Sequence, residues 1–96
     1  MASIFGLLNK IGLNNNEVNT MININKNLKT ANPEVVFRNL IAVSDAGFPD
    51  DELAWLCLNN PNFLSLETKQ LKEKLVQVKS KNPDIEIALK NNPNLI

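Results

Sequence analysis

The phrase Asn59-Asn60-Pro61-Asn62-Phe63-Leu64 returns as Asn91-Asn92-Pro93-Asn94-Leu95-Ile96, and a worn copy, Ile24-Asn25-Lys26-Asn27-Leu28, lies upstream. Lys26, Pro61 and Pro93 are thereby equivalent, at spacings of 35 and then 32 residues. A phrase that recurs within about 20–50 residues marks a repeat architecture, in which one small unit stacks on copies of itself. That constrains the fold more than any other feature of the chain.

The repeat is longer than its signature. Ile11-Gly12-Leu13, Glu17-Val18 and Met21-Ile22 match Ala46-Gly47-Phe48, Glu52-Leu53 and Leu56-Cys57 at a spacing of 35. Leu53, Cys57 and Asn60-Pro61 match Ile85, Leu89 and Asn92-Pro93 at a spacing of 32. The three-residue difference is assigned to the loop before the short helix, where length changes cost little. Each unit then reads as a long helix, a tight turn, a shorter helix and an Asn-Pro turn into the next. The units are approximately 1–28, 29–64 and 65–96, within a single domain spanning 1–96.

Periodicity supports helices throughout. The first is expected at about 3–11, capped by Ser3, with Ile4, Leu7, Leu8 and Ile11 on one face and Gly12 as its stop. The second, about 15–25, turns Val18, Met21 and Ile22 inward. Asn32-Pro33 opens the third, because asparagine accepts from an orphan N–H and proline suits the first helical position. Val36, Leu40, Ile41 and Val43 line it, and Gly47 ends it. The fourth is expected at about 50–59, with Asp50, Asp51 and Glu52 in its first turn and Leu53, Leu56 and Cys57 inside. Pro61–Leu64 reads as one short turn. Ser65 or a neighbour caps the fifth helix, about 66–80, with Leu71, Leu75 and Val78 inside. Asn82-Pro83 opens the last, about 83–91, with Ile85, Ala88 and Leu89 inside. The expected fold is all-α: a short right-handed solenoid of about six helices, with short 3-10 turns at Asn-Pro.

This pattern of an apolar helix, a Gly-Phe-x-x-x-Glu-Leu segment, a short helix and an Asn-Pro-x-apolar-apolar turn resembles the repeat of the mitochondrial transcription termination factor family. Here it reads Ala46-Gly47-Phe48-Pro49-Asp50-Asp51-Glu52-Leu53, then Asn60-Pro61-Asn62-Phe63-Leu64, then Lys81-Asn82-Pro83 and Asn92-Pro93-Asn94-Leu95-Ile96. The resemblance covers about two and a half repeats. It implies triple-helical units, two α-helices and a 3-10 turn, stacked into a curved solenoid that binds nucleic acid in a basic groove. The chain departs from the family in its neutral charge, its single arginine, Arg38, and its short array.

Charge qualifies the nucleic-acid expectation. Ten basic and ten acidic residues cancel, so no general attraction to polyanions follows. The charges are segregated, however: the acids cluster within 45–67 and six lysines follow within 68–96. On the fifth helix Lys69, Lys72 and Lys79, with Lys81 near its end, form the candidate nucleic-acid face, since a lysine-lined helix can track phosphates. The bland alternative is a solvated outer face. The second candidate is a protein-interaction surface made of Trp55 and the acidic 45–52 segment, chiefly Asp50 and Asp51. Its bland counterparts are core packing for Trp55 and first-turn acids for the rest.

Catalysis finds little support. The chain has no histidine and no tyrosine, and its one cysteine, Cys57, lies on an apolar helix face, where a buried inert thiol is expected. No motif calls for a cofactor or a metal, and the acidic cluster lacks the ligand spacing of a calcium loop. The expected protein is a non-enzymatic binding module without cofactors. Its partners are nucleic acid or a protein, with self-association through the terminal repeat and no membrane role. The lone cysteine and the absence of a leader pattern point to the reducing cytoplasm, or to a chain already processed. The terminal Leu95 and Ile96 are expected to be covered. Seventeen asparagines, an unusual number, have a structural use at several of these helix ends.

Overall fold

A computed structural model describes residues 3–96. Its six α-helices are α1 (Ile4–Lys10), α2 (Asn15–Ile24), α3 (Pro33–Asp45), α4 (Leu53–Asn59), α5 (Thr68–Lys81) and α6 (Ile85–Asn91). Four 3-10 turns, Lys26–Thr30, Asp50–Glu52, Pro61–Ser65 and Pro93–Leu95, complete the regular structure, with no strand among the described residues.

Local chemistry accounts for most of the boundaries. Ser3 caps α1 through Gly6 N, and Asn14 and Glu17 form a reciprocal capping box on α2. Asn32 caps α3 ahead of Pro33. Helices α1 and α3 end alike. Gly12 and Gly47 take φ of 105° and 116°, which a side chain disfavours. Leu13 N bonds Leu8 O as Phe48 N bonds Val43 O, and each glycine N bonds the carbonyl three residues back. Both are Schellman closures, 35 residues apart.

The short helices also end alike. Asn25, Asn60 and Asn92 follow α2, α4 and α6 with similar backbones, ψ of 92°, 79° and 92°, and each N–H bonds the carbonyl four residues back. A 3-10 turn starts at the next residue in all three cases. Their side chains join turn to turn. Asn25 Nδ2 donates to Pro61 O at 3.1 Å, and Asn60 Nδ2 donates to Pro93 O at 2.7 Å.

One core runs through the molecule. It includes Leu8, Val18, Met21 and Leu28, then Val36, Val43, Leu56, Cys57, Phe63 and Leu64, then Leu71, Ile85 and Leu89. The inward stripes expected for α4, α5 and α6 are all buried. A polar clamp sits inside this apolar core. Asn39 of α3 is fully buried, and its Nδ2 faces the carbonyls of Phe63, Leu64 and Leu66 at 3.0, 3.1 and 2.8 Å. Its Oδ1 accepts from Thr68 Oγ1 at 2.7 Å. The clamp fixes the Pro61–Ser65 turn and the start of α5 against α3.

Several local expectations are corrected. Asp50, Asp51 and Glu52 form a separate 3-10 turn, not the first turn of α4. Ser44 Oγ donates to the Asp50 carboxylate, which holds that turn beside the end of α3. Ser65 does not cap α5. Its hydroxyl accepts from Asn25 Nδ2 at 2.8 Å, and Glu67 occupies the cap position without a side-chain bond. Asn82-Pro83 does not open α6. Asn82 ends α5 in extended backbone, as residues before proline prefer, and Asp84 caps α6 through Ile87 N. Ile41 is exposed, and of the terminal pair only Ile96 is buried.

Candidate binding surfaces

The lysines of α5 divide between different places. Lys69 and Lys72 line a shallow groove of about 780 Å³ with Thr68, Val76 and, from α3, Arg38. Glu73 lines the same groove, and Arg38 is itself paired with Glu34 at 3.7 Å. Lys79 is turned away. Its Nζ donates to Ala46 O at 3.2 Å, satisfying a carbonyl at the end of α3, and it borders a separate hollow beside Gly47 and Asp84. Lys81 is the exposed last residue of α5. The structure thus brings Lys69 and Lys72 together with Arg38 and leaves Lys79 and Lys81 outside.

Two other lysines are engaged. Lys74 Nζ donates to Ile96 O at 3.3 Å. Lys90 pairs with Glu52 across the molecule and with Glu86 on its own helix at 3.4 Å. The hydrogen bond to Glu52 raises the Lys90 ammonium above the ordinary lysine range. Glu86 adds to this, and partial desolvation opposes it.

The acidic turn borders a second, mainly apolar groove of about 560 Å³ between α1 and α3. Leu7 and Ile11 form one wall, Phe37, Leu40 and Ile41 the other, and Lys10, Asp50 and Asp51 supply charge at its margin. Phe37 is 49% exposed and Ile41 42%, high values for large apolar side chains on one helix face. Trp55, 37% exposed on α4, is outside this groove. Asp50 and Asp51 therefore belong to a surface with Phe37 and Ile41.

Phe37 is not among the candidates that the sequence pattern offers, and that pattern places Ile41 on the inward face of α3, where the structure leaves it exposed. The available signal was the width of the apolar arc on α3. Val36, Leu40 and Val43 already fill one packing face, so Phe37 and Ile41, four residues apart, form a second stripe beside it.

Cys57 is fully buried on α4, and burial pushes its thiol up to about 12. It is protonated at neutral pH and lacks the thiolate character of a nucleophile. Among the described residues no cluster of three or more metal-ligating side chains forms, and no helix is long and apolar enough to cross a membrane.

No protein-family model, curated protein or solved structure matches this chain.

Proposed function

We propose that the chain is a short helical solenoid of the kind built by the mitochondrial transcription termination factor family, working as a non-enzymatic protein-interaction module. The matched Asn25–Pro61 and Asn60–Pro93 bonds support the stacked arrangement, because equivalent residues meet equivalent carbonyls in successive units. The body measures 35 × 22 × 21 Å, and its long axis exceeds the roughly 21 Å length of its longest helix.

The observation that carries the interaction reading is the α1–α3 groove, where Phe37 and Ile41 are exposed next to Asp50 and Asp51. Its occupant is an amphipathic helix, with apolar residues on Phe37 and Ile41 and basic residues toward Asp50 and Asp51. Apolar anchors supply the affinity of such a contact, and the charges fix its register. Calorimetry with two designed amphipathic helices, one flanked by lysine and one by glutamate, tests this. The lysine-flanked helix should bind more tightly, and Ile41→Glu should abolish binding. Equal binding of both helices, or indifference to Ile41→Glu, refutes the reading.

One observation favours a second reading. Arg38, Lys69 and Lys72 line one shallow groove, where three cations can face phosphates. Retention on a nucleic-acid column at low salt, lost in Lys69→Glu/Lys72→Glu, would establish it. No retention at low salt excludes it. Three contacts predict a shallow salt slope of about −2 to −3 in log–log form.

A further inference from the structure

Two grooves flank α3, and they carry opposite charge. The helix packs against both α1 and α5. Phe37 and Arg38 are consecutive, so they point about 100° apart around its axis. Phe37 lines the groove toward α1, and Arg38 lines the groove toward α5. Exposed Glu34, three and four residues before them, stands on the crest between the two. Around the first groove the carboxylates of Asp50 and Asp51 outnumber one lysine, Lys10. Around the second the cations Arg38, Lys69 and Lys72 outnumber one carboxylate, Glu73.

Both grooves also present apolar surface. Phe37 and Ile41 are half-exposed in the first, and Val76 in the second is 69% exposed. A phosphate backbone gains nothing from Val76 and is opposed by Glu73. Arg38 is moreover already paired with Glu34. The second groove therefore suits an apolar stripe with acidic flanks better than a bare polyanion. Spacing relates the two grooves. Packed helices lie roughly 8–10 Å apart, so grooves on the two sides of one helix are separated by about that distance. Two helices packed on each other have the same spacing.

We infer that the face formed by α1, α3 and α5 receives a two-helix partner, one helix in each groove and the α3 crest between them. The helix over Phe37 and Ile41 carries basic flanks, and the helix over Val76 carries acidic ones. The inference rests on the reading of the α1–α3 groove as a helix site and adds a second seat of opposite charge. The charges assign each helix to its groove, because exchanging the two would set like charges together in both.

Calorimetry with designed probes tests this: a lysine-flanked amphipathic helix, a glutamate-flanked one, and the two joined by a flexible Gly/Ser linker long enough for either relative direction. The joined pair should bind at least about tenfold more tightly than the lysine-flanked helix alone, because the second docking becomes intramolecular. Lys72→Glu combined with Val76→Glu should remove that gain and leave binding of the lysine-flanked helix unchanged. Both positions are exposed, so the double variant should keep its helical circular dichroism. Two lysine-flanked helices joined by the same linker should show no comparable gain. A joined pair no tighter than the lysine-flanked helix, a gain that survives the double variant, or an equal gain with two lysine-flanked helices would each overturn the inference. So would a DNA duplex that binds the second groove, is lost in the double variant and is not displaced by the glutamate-flanked helix. Failure of the lysine-flanked helix to bind by itself would instead overturn the α1–α3 reading beneath it.

Discussion

The side chains of Asn25 and Asn60 make the same bond 35 residues apart, each amide donating to the carbonyl of the proline in the next 3-10 turn, at 3.1 and 2.7 Å. Neither bond closes a local loop. Each ties one turn to another more than 30 residues along the chain. Asn25→Ala and Asn60→Ala should each lower stability by about 1–3 kcal/mol, because a carbonyl at a buried or half-buried site loses its donor. Asn60→Ala should cost more in the local turn, since it also removes the cap on Asn62 N. Urea unfolding midpoints at constant slope measure both.

Asn39 offers a sharper case. Its amide serves three carbonyls and its oxygen accepts from Thr68, all within the core. Asn39→Leu should destabilise by about 2–4 kcal/mol through several unsatisfied groups. Asn39→Asp should be worse at neutral pH, since a carboxylate would face three carbonyl oxygens. Its stability should partly recover as pH falls and the carboxyl protonates, which thermal unfolding at pH 4 and pH 7 would show.

The two positive-φ glycines predict a graded pair. A Cβ on Gly12 would meet nothing within 4 Å, whereas one on Gly47 would stand 3.2 Å from Ile85 Cγ2. Gly12→Ala should cost about 1–2 kcal/mol from backbone strain alone. Gly47→Ala should cost that much and a further increment for displacing α6. Equal losses in thermal denaturation would contradict this account.

Cys57 makes stability depend on pH in the alkaline range. Its folded pKa is raised to about 12 from an ordinary value of 9.0, so the unfolded chain loses the proton first. The contribution is complete below the unfolded value and declines as pH rises above it toward the folded value. Between pH 9 and 10, below the bulk of lysine titration, stability should fall by about 1 kcal/mol per pH unit. Cys57→Ala should start lower through lost packing and show a flatter slope. Thiol-reactive dyes should label wild type at neutral pH only as fast as it unfolds.

Phe37 and Ile41 support the docking groove more than the fold. Ile41→Gln should change stability by no more than about 0.5–1 kcal/mol, as expected for a half-exposed site. The same change at Leu40, which is buried beside them, should cost several times as much. Comparable losses at the two positions would mean that Ile41 serves the core.

Much of this arrangement was legible in the residues. The six helices, the glycine closures at Gly12 and Gly47, the turns at Asn60-Pro61 and Asn92-Pro93, and the inward faces of α4, α5 and α6 all follow from spacing and capping. Other features followed from packing. The same dipeptide that opens α3 at Asn32-Pro33 lies between helices at Asn82-Pro83, where Asp84 competes as the cap. The lysines of α5 read as one series but separate in space, because the end of α3 draws Lys79 to Ala46 O.

The sequence alone determined that six segments turn helical, that α1 and α3 close at Gly12 and Gly47, and which phrase recurs, because helical periodicity and glycine closure depend on neighbours within about one helical turn. Only the tertiary structure decided that Asn39 would clamp the Pro61–Ser65 turn, that Asn25 and Asn60 would link successive turns, and that Phe37 and Ile41 would remain uncovered. Those outcomes depend on backbone carbonyls and helix faces brought together from distant parts of the chain. An asparagine carries the same donors and acceptor wherever it stands, and which of them find partners is set by what packs against it.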